Sequence, residues 1–136
     1  MKDRIFWKLW FWFVLVFSSY RVYESLMEPD ITQPQIPMEL SVLNLLLLPV
    51  LLFGLYSYAY KYSCYYLTKI RYFWDITACL FILTNITTLA YEFSAGGYSQ
   101  EEMIIISILT AIFLTPNLYV FFQLSKQLKG VNYVGN

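Results

Sequence analysis

Histidine is absent from this sequence, and charged side chains make up only 13% of it. The first absence removes the commonest metal ligand, the usual haem ligand and the usual general base at neutral pH. The second departs from soluble domains, where about 25% of residues are charged. Water is therefore not the only solvent this chain is built for. Cysteine is scarce as well: Cys64 and Cys79 are not spaced as C-x-x-C, so neither a zinc site nor a thiol–disulfide motif is expected. Each reads as a small apolar side chain in a helix. Nine basic residues balance nine acidic ones, which leaves no electrostatic footprint for nucleic acid. With no paired carboxylates, histidine cluster or thiol pair, the sequence predicts neither an enzyme nor a cofactor.

What the chain does have is apolar length. Of its 136 residues 59% are hydrophobic and 21% aromatic. A membrane helix needs about 20 mostly apolar residues. Leu40–Tyr60 and Met103–Leu124 meet this without a charge, and Ile76–Tyr91, itself uncharged, reaches the length once Tyr72, Phe73 and Trp74 are added, with Asp75 then the one charge inside it. The first segment is less clean, because Lys8 and Arg21 bracket its core. Both are long enough to snorkel, so Ile5–Tyr23 reads as a span. A cleaved signal is the competing reading, with Ser18 near the cleavage site. The bulk of Trp10, Phe11, Trp12, Phe13 and Phe17 favours a retained helix. The fold expected is all-α and integral to a membrane, a single four-helix domain over residues 1–136.

The charges sort by side. With the N-terminus inside, Lys2, Arg4, Lys8, Lys61, Lys69, Arg71, Lys126 and Lys129 fall on the cytoplasmic side and only Arg21 opposite. This positive-inside bias predicts cytoplasmic N- and C-termini. Among the acids, Glu24, Glu28, Asp30, Glu39, Glu92, Glu101 and Glu102 fall outside, and Asp3 and Asp75 inside. Ser99 followed by Glu102 fits a capping box at the start of the fourth helix.

An offset of 67 residues aligns several marks: Arg4-x-Phe6-Trp7 with Arg71-x-Phe73-Trp74, and Pro49 with Pro116. Tyr23-Glu24 meets Tyr91-Glu92 with a shift of one. The match predicts two repeated helical hairpins, about 1–68 and 69–136, related by an axis along the membrane normal. Pro49 and Pro116 each remove a backbone donor and should kink the second and fourth helices.

Two groups of residues are candidates for function. Thr77, Thr84, Asn85 and Thr88 on the third helix, with Asn117 on the fourth or Asn44 on the second, form a possible polar intramembrane face; Tyr91 belongs to the same helical stripe. Such groups commonly join membrane helices by hydrogen bonds. Tyr58, Lys61, Tyr62, Tyr65, Tyr66, Lys69 and Arg71 form a possible cytoplasmic interface. Tyrosines favour the membrane–water boundary, and the basic residues reach lipid phosphates. Continuation of the second helix past the bilayer is the simplest reading of the tyrosine run. Asp75 is expected to cap the third helix and to balance Lys69 or Arg71.

The motifs "FWK" (Phe6–Lys8), "GLYSYAYK" (Gly54–Lys61) and "FWD" (Phe73–Asp75) resemble those of small, uncharacterised four-helix membrane proteins of bacteria. The resemblance implies a bacterial inner membrane and brings no activity or ligand residues with it. The small multidrug transporters, of similar size, use a membrane-embedded glutamate, whereas Leu9–Tyr20 carries no charge. The function expected is that of a non-catalytic accessory or assembly subunit in a larger membrane complex. Its partners would be the lipid bilayer and a membrane protein, or further copies of itself. The alternatives are a small dimeric transporter of lipid or small molecules, and an immunity-type protein against a pore-forming toxin.

Overall fold

The computed structural model describes residues 3–27, 36–61 and 72–131. They form four helices: α1 (Asp3–Met27), α2 (Met38–Tyr60), α3 (Phe73–Ser94) and α4 (Gln100–Val131). Each contains a stretch long and apolar enough to cross a membrane. The reason is local: each combines a run of apolar residues with few charges, so a helix that satisfies its own backbone groups is the state apolar surroundings favour. At 23 residues α2 is about 34 Å long, matching a hydrocarbon core of about 30 Å. At 32 residues α4 is about 48 Å long and outreaches it.

The helix ends are set by specific groups. α2 stops at Tyr60 because Lys61 turns left-handed (φ 57°), its N–H returning to the Ser57 carbonyl. Of the tyrosine run, Tyr56, Tyr58 and Tyr60 belong to α2, and Tyr62, Tyr65 and Tyr66 lie outside the described residues. Gly96 and Gly97, both at positive φ, turn the chain between α3 and α4. The expected capping box then opens α4. Glu102 N–H donates to Ser99 Oγ at 3.2 Å, and Ser99 N–H donates to a Glu102 carboxylate oxygen at 2.8 Å.

The helices alternate in direction. α1 packs on α2 and α3 on α4, while α2 touches both α3 and α4. α1 reaches α4 through rings: Trp7 stacks on Tyr119 at 5.3 Å, and Trp10 and Phe17 flank Phe113.

We call the end with the start of α1 and the end of α4 proximal, and the other distal. The core is almost wholly proximal. It comprises Phe11 and Val14 from α1, Leu51, Gly54 and Leu55 from α2, Trp74, Ala78 and Phe81 from α3, and Val120, Phe121 and Leu124 from α4. In the distal halves Leu40, Leu47 and Thr84, the last at the midpoint of α3, are the buried residues among those described. From Gln100 to Pro116 no residue of α4 is buried, and Ile104, Ile105, Ile108, Leu109 and Ile112 are exposed. Pro49 and Pro116 mark where tight packing begins, and both helices run through them unbroken.

At the centre of the packed half, Gly54 is a notch. A Cβ there would lie 2.9 Å from Trp74 Cζ3 and 3.1 Å from Phe121 Cε1. Only the missing side chain lets the two rings, themselves stacked at 5.7 Å, close over α2.

Candidate functional site

The polar stripe of α3 comes from hydroxyls and an amide at helical spacing, and its chemistry is mostly internal. Thr77 Oγ1 donates to the Phe73 carbonyl at 2.8 Å, and Thr84 Oγ1 to the Leu80 carbonyl at 2.9 Å. Thr88 Oγ1 donates to the Thr84 carbonyl at 2.8 Å, and the Asn85 amide to the Phe81 carbonyl at 2.7 Å. Each returns to the preceding turn of its own helix, the usual recourse of short polar side chains in apolar surroundings. Thr77 and Thr84 are buried, Asn85 and Thr88 half-buried. Tyr91, expected inward with them, is 44% exposed. It lies in the distal half, beyond the point where Asn44 of α2 meets Thr88.

Two bonds tie helices together at different levels. Near the distal end Asn44 Nδ2 donates to Thr88 Oγ1 at 3.1 Å, joining α2 to α3. In the proximal half Trp10 Nε1 donates to Asn117 Oδ1 at 3.0 Å, joining α1 to α4. The Asn117 amide also donates to the Phe113 carbonyl at 2.9 Å. Asn117 is fully buried, and its bonds go to α1 and to its own helix, not to the α3 threonines. It follows Pro116, which lacks a backbone donor. Thr115 Oγ1 and the Asn117 amide both bond carbonyls of the preceding turn on either side of that proline.

At the proximal end, Asp75 stands in the first turn of α3, and the N-cap position belongs to Tyr72, which makes no side-chain cap. The carboxylate Oδ1 of Asp75 instead accepts from Ser125 Oγ at 2.7 Å, closing α3 onto α4. Its expected partners Lys69 and Arg71 lie outside the described residues. Ser57, one turn beyond Gly54, is buried, and its hydroxyl has no bond among the described residues.

Of the expected cytoplasmic interface, Tyr58 is half-buried and its ring packs edge-on against Trp7 at 5.2 Å. Lys61 is exposed, while Tyr62, Tyr65, Tyr66, Lys69 and Arg71 are outside the described residues. A shallow apolar depression runs along Met38, Glu39, Val42, Leu43 and Leu46 at the distal end of α2. Among the described residues no three acidic or thiol side chains converge as metal ligands, and Cys79 is an exposed free thiol.

Sequence reasoning passed over Trp10, Trp12, Ser125 and the Gly54 notch. For Gly54 a signal existed, since it is the one glycine inside the four apolar runs. For the indoles the signal was weaker: Lys8, Trp12 and Val16 recur at the four-residue spacing of a helix face. Taken together, the described polar side chains join helices and satisfy backbone, and they do not converge on a shared cavity. Comparison with protein-family models, with curated proteins and with solved structures finds no match for this chain.

Proposed function

We propose that the chain is a non-catalytic integral membrane subunit that packs on a larger membrane complex. The observation that carries this reading is the uneven core. The proximal half is closed by rings and interhelical bonds, whereas the distal half of α4 holds no fully buried residue and presents a continuous isoleucine face. A free-standing four-helix bundle buries a stripe along the whole length of each helix. Here a partner's helices complete the stripe. The internal bonding of Thr77, Thr84, Asn85 and Thr88 supports the same reading over a transporter, because their hydroxyls and amide serve the helices' own carbonyls.

The protein sits in a bacterial inner membrane with its proximal end cytoplasmic. The basic residues at that end and the acids at the other support this orientation. It is built from two copies of one hairpin. In support, α2 and α4 run parallel, and the neighbouring pair Gly54 and Phe121 keeps the same 67-residue offset as the proline pair. Trp7 and Trp74, also 67 apart, each pack on a ring of α2 and a ring of α4.

Purification in a gentle detergent tests the reading. The expected result is a stoichiometric membrane-protein partner, and a clean monomer or homodimer under every mild condition contradicts it.

A further inference from the structure

A second cluster lies at the proximal end of the α1–α2 seam. The Lys8 ammonium stands 5.1 Å from the centroid of the Tyr60 ring. The Tyr60 hydroxyl accepts from Trp12 Nε1 at 3.3 Å. Tyr56 packs against Tyr60 at 4.9 Å between ring centroids, and Phe11 meets Tyr60 edge-on at 6.3 Å. Chain direction explains the arrangement. Helical side chains lean toward their own N-terminus, so Tyr60, the last residue of α2, points back along the span. There it meets Lys8 and Trp12, neighbours four apart on α1.

The chemistry left over is specific. The ring covers one side of the ammonium and holds it in place, leaving N–H donors on the other. Among the described residues no carboxylate pairs with Lys8, and Lys8, Trp12, Tyr56 and Tyr60 are all exposed. The Tyr60 hydroxyl accepts the indole bond and keeps its own proton to donate. A positive charge and a hydroxyl donor thus share one ring at the end plane of two membrane-length helices. Beyond Trp12 the same face of α1 continues inward to exposed Val16, an apolar track. An acceptor-only anion carrying an apolar tail matches all of this.

We propose that Lys8, Trp12 and Tyr60 form a binding site for the phosphate of an anionic phospholipid, with its acyl chain along Trp12 and Val16. The site rests on the reading that these helices span a bilayer with their proximal ends at one interface.

The test is native mass spectrometry of the full chain released from vesicles of equal parts phosphatidylglycerol and phosphatidylcholine. Wild type should retain phosphatidylglycerol preferentially. Lys8→Gln should reduce that retention about fivefold, the equivalent of about 1 kcal/mol for one basic residue near a membrane surface. Tyr60→Phe should reduce it by a smaller factor, and Lys126→Gln, at an exposed lysine near the same end of α4, should leave it unchanged. Equal losses from Lys8→Gln and Lys126→Gln would mean diffuse charge attraction and overturn the site, as would the absence of any lipid preference. Displacement by millimolar glycerol phosphate would overturn the lipid assignment in favour of a soluble phosphate. Flotation with phosphatidylcholine vesicles alone separates the two levels. A chain that floats without lipid preference loses only this site, and a chain that does not float loses the membrane reading itself.

Discussion

Gly54→Ala is the substitution whose effect the geometry constrains most closely. The new methyl would sit 2.9 Å from Trp74 Cζ3, 3.2 Å from Trp74 Cη2 and 3.1 Å from Phe121 Cε1. None of these atoms is the loose end of a flexible chain. Trp74 is 3% exposed and stacked between Phe53 and Phe121, and Phe121 is 1% exposed and also meets Phe81 edge-on at 5.9 Å. Relief requires moving α2 away from α3 and α4 or distorting the stack, at a cost of about 1–3 kcal/mol. Alanine returns about 1 kcal/mol through its better helix propensity. The net expectation is a loss of about 1 kcal/mol, growing to several for Gly54→Val, whose extra methyls meet the same rings. The assay is reversible unfolding in mixed micelles, read by far-ultraviolet circular dichroism. Trp74→Phe in the same background supplies the decisive control, because it removes the ring atoms that the methyl strikes. The cycle of single and double variants should show a favourable coupling of about 1 kcal/mol, within the range for residues in contact. An additive cycle, or a Gly54→Ala protein more stable than wild type, would refute the notch.

Asn117→Leu leaves the Trp10 indole N–H without its acceptor inside the bundle. It should destabilise by about 1 kcal/mol, toward the lower end for a stranded buried donor, with the loss largely absent when Trp10 is already phenylalanine. Ser125→Ala removes the donor to the Asp75 carboxylate and should cost about 1–2 kcal/mol, measured by the same unfolding assay. Asn85→Leu should fall within about 0.5 kcal/mol of wild type, because that amide serves only its own helix; any solute flux attributable to the protein should be unaffected. Ser99→Ala breaks the capping box and should raise hydrogen exchange over the first turn of α4, a loss of about 1 kcal/mol of local stability.

The four helices were legible in the sequence because membrane-length apolar runs with few charges leave the backbone no other way to satisfy its own groups. Their ends were less so. α4 continues to Val131, well past its apolar run, and α2 stops at Tyr60 because one left-handed lysine ends it. The polar stripe of α3 was visible as a pattern, but where its hydrogen bonds go was not: a threonine in a helix can serve the turn before it or a neighbouring helix. Thr84 does the first, while Thr88 also accepts from Asn44. Contacts such as Trp10 with Asn117 and Asp75 with Ser125 join residues 107 and 50 positions apart. No local spacing announces them, since they depend on which helices become neighbours. Nor could composition tell that the core would lie almost wholly in the proximal half. The distal residues of α4 are no less apolar than the proximal ones and differ only in what packs against them.

The central claim is that the distal half of the bundle is completed by another membrane protein, and site-specific photocrosslinking in living cells tests it most directly. A photoreactive residue at Ile108, on the uncovered distal face of α4, should yield one discrete protein adduct. The same probe at Phe122, exposed in the packed proximal half, should not. Adducts at both positions alike, or at neither, would contradict the account.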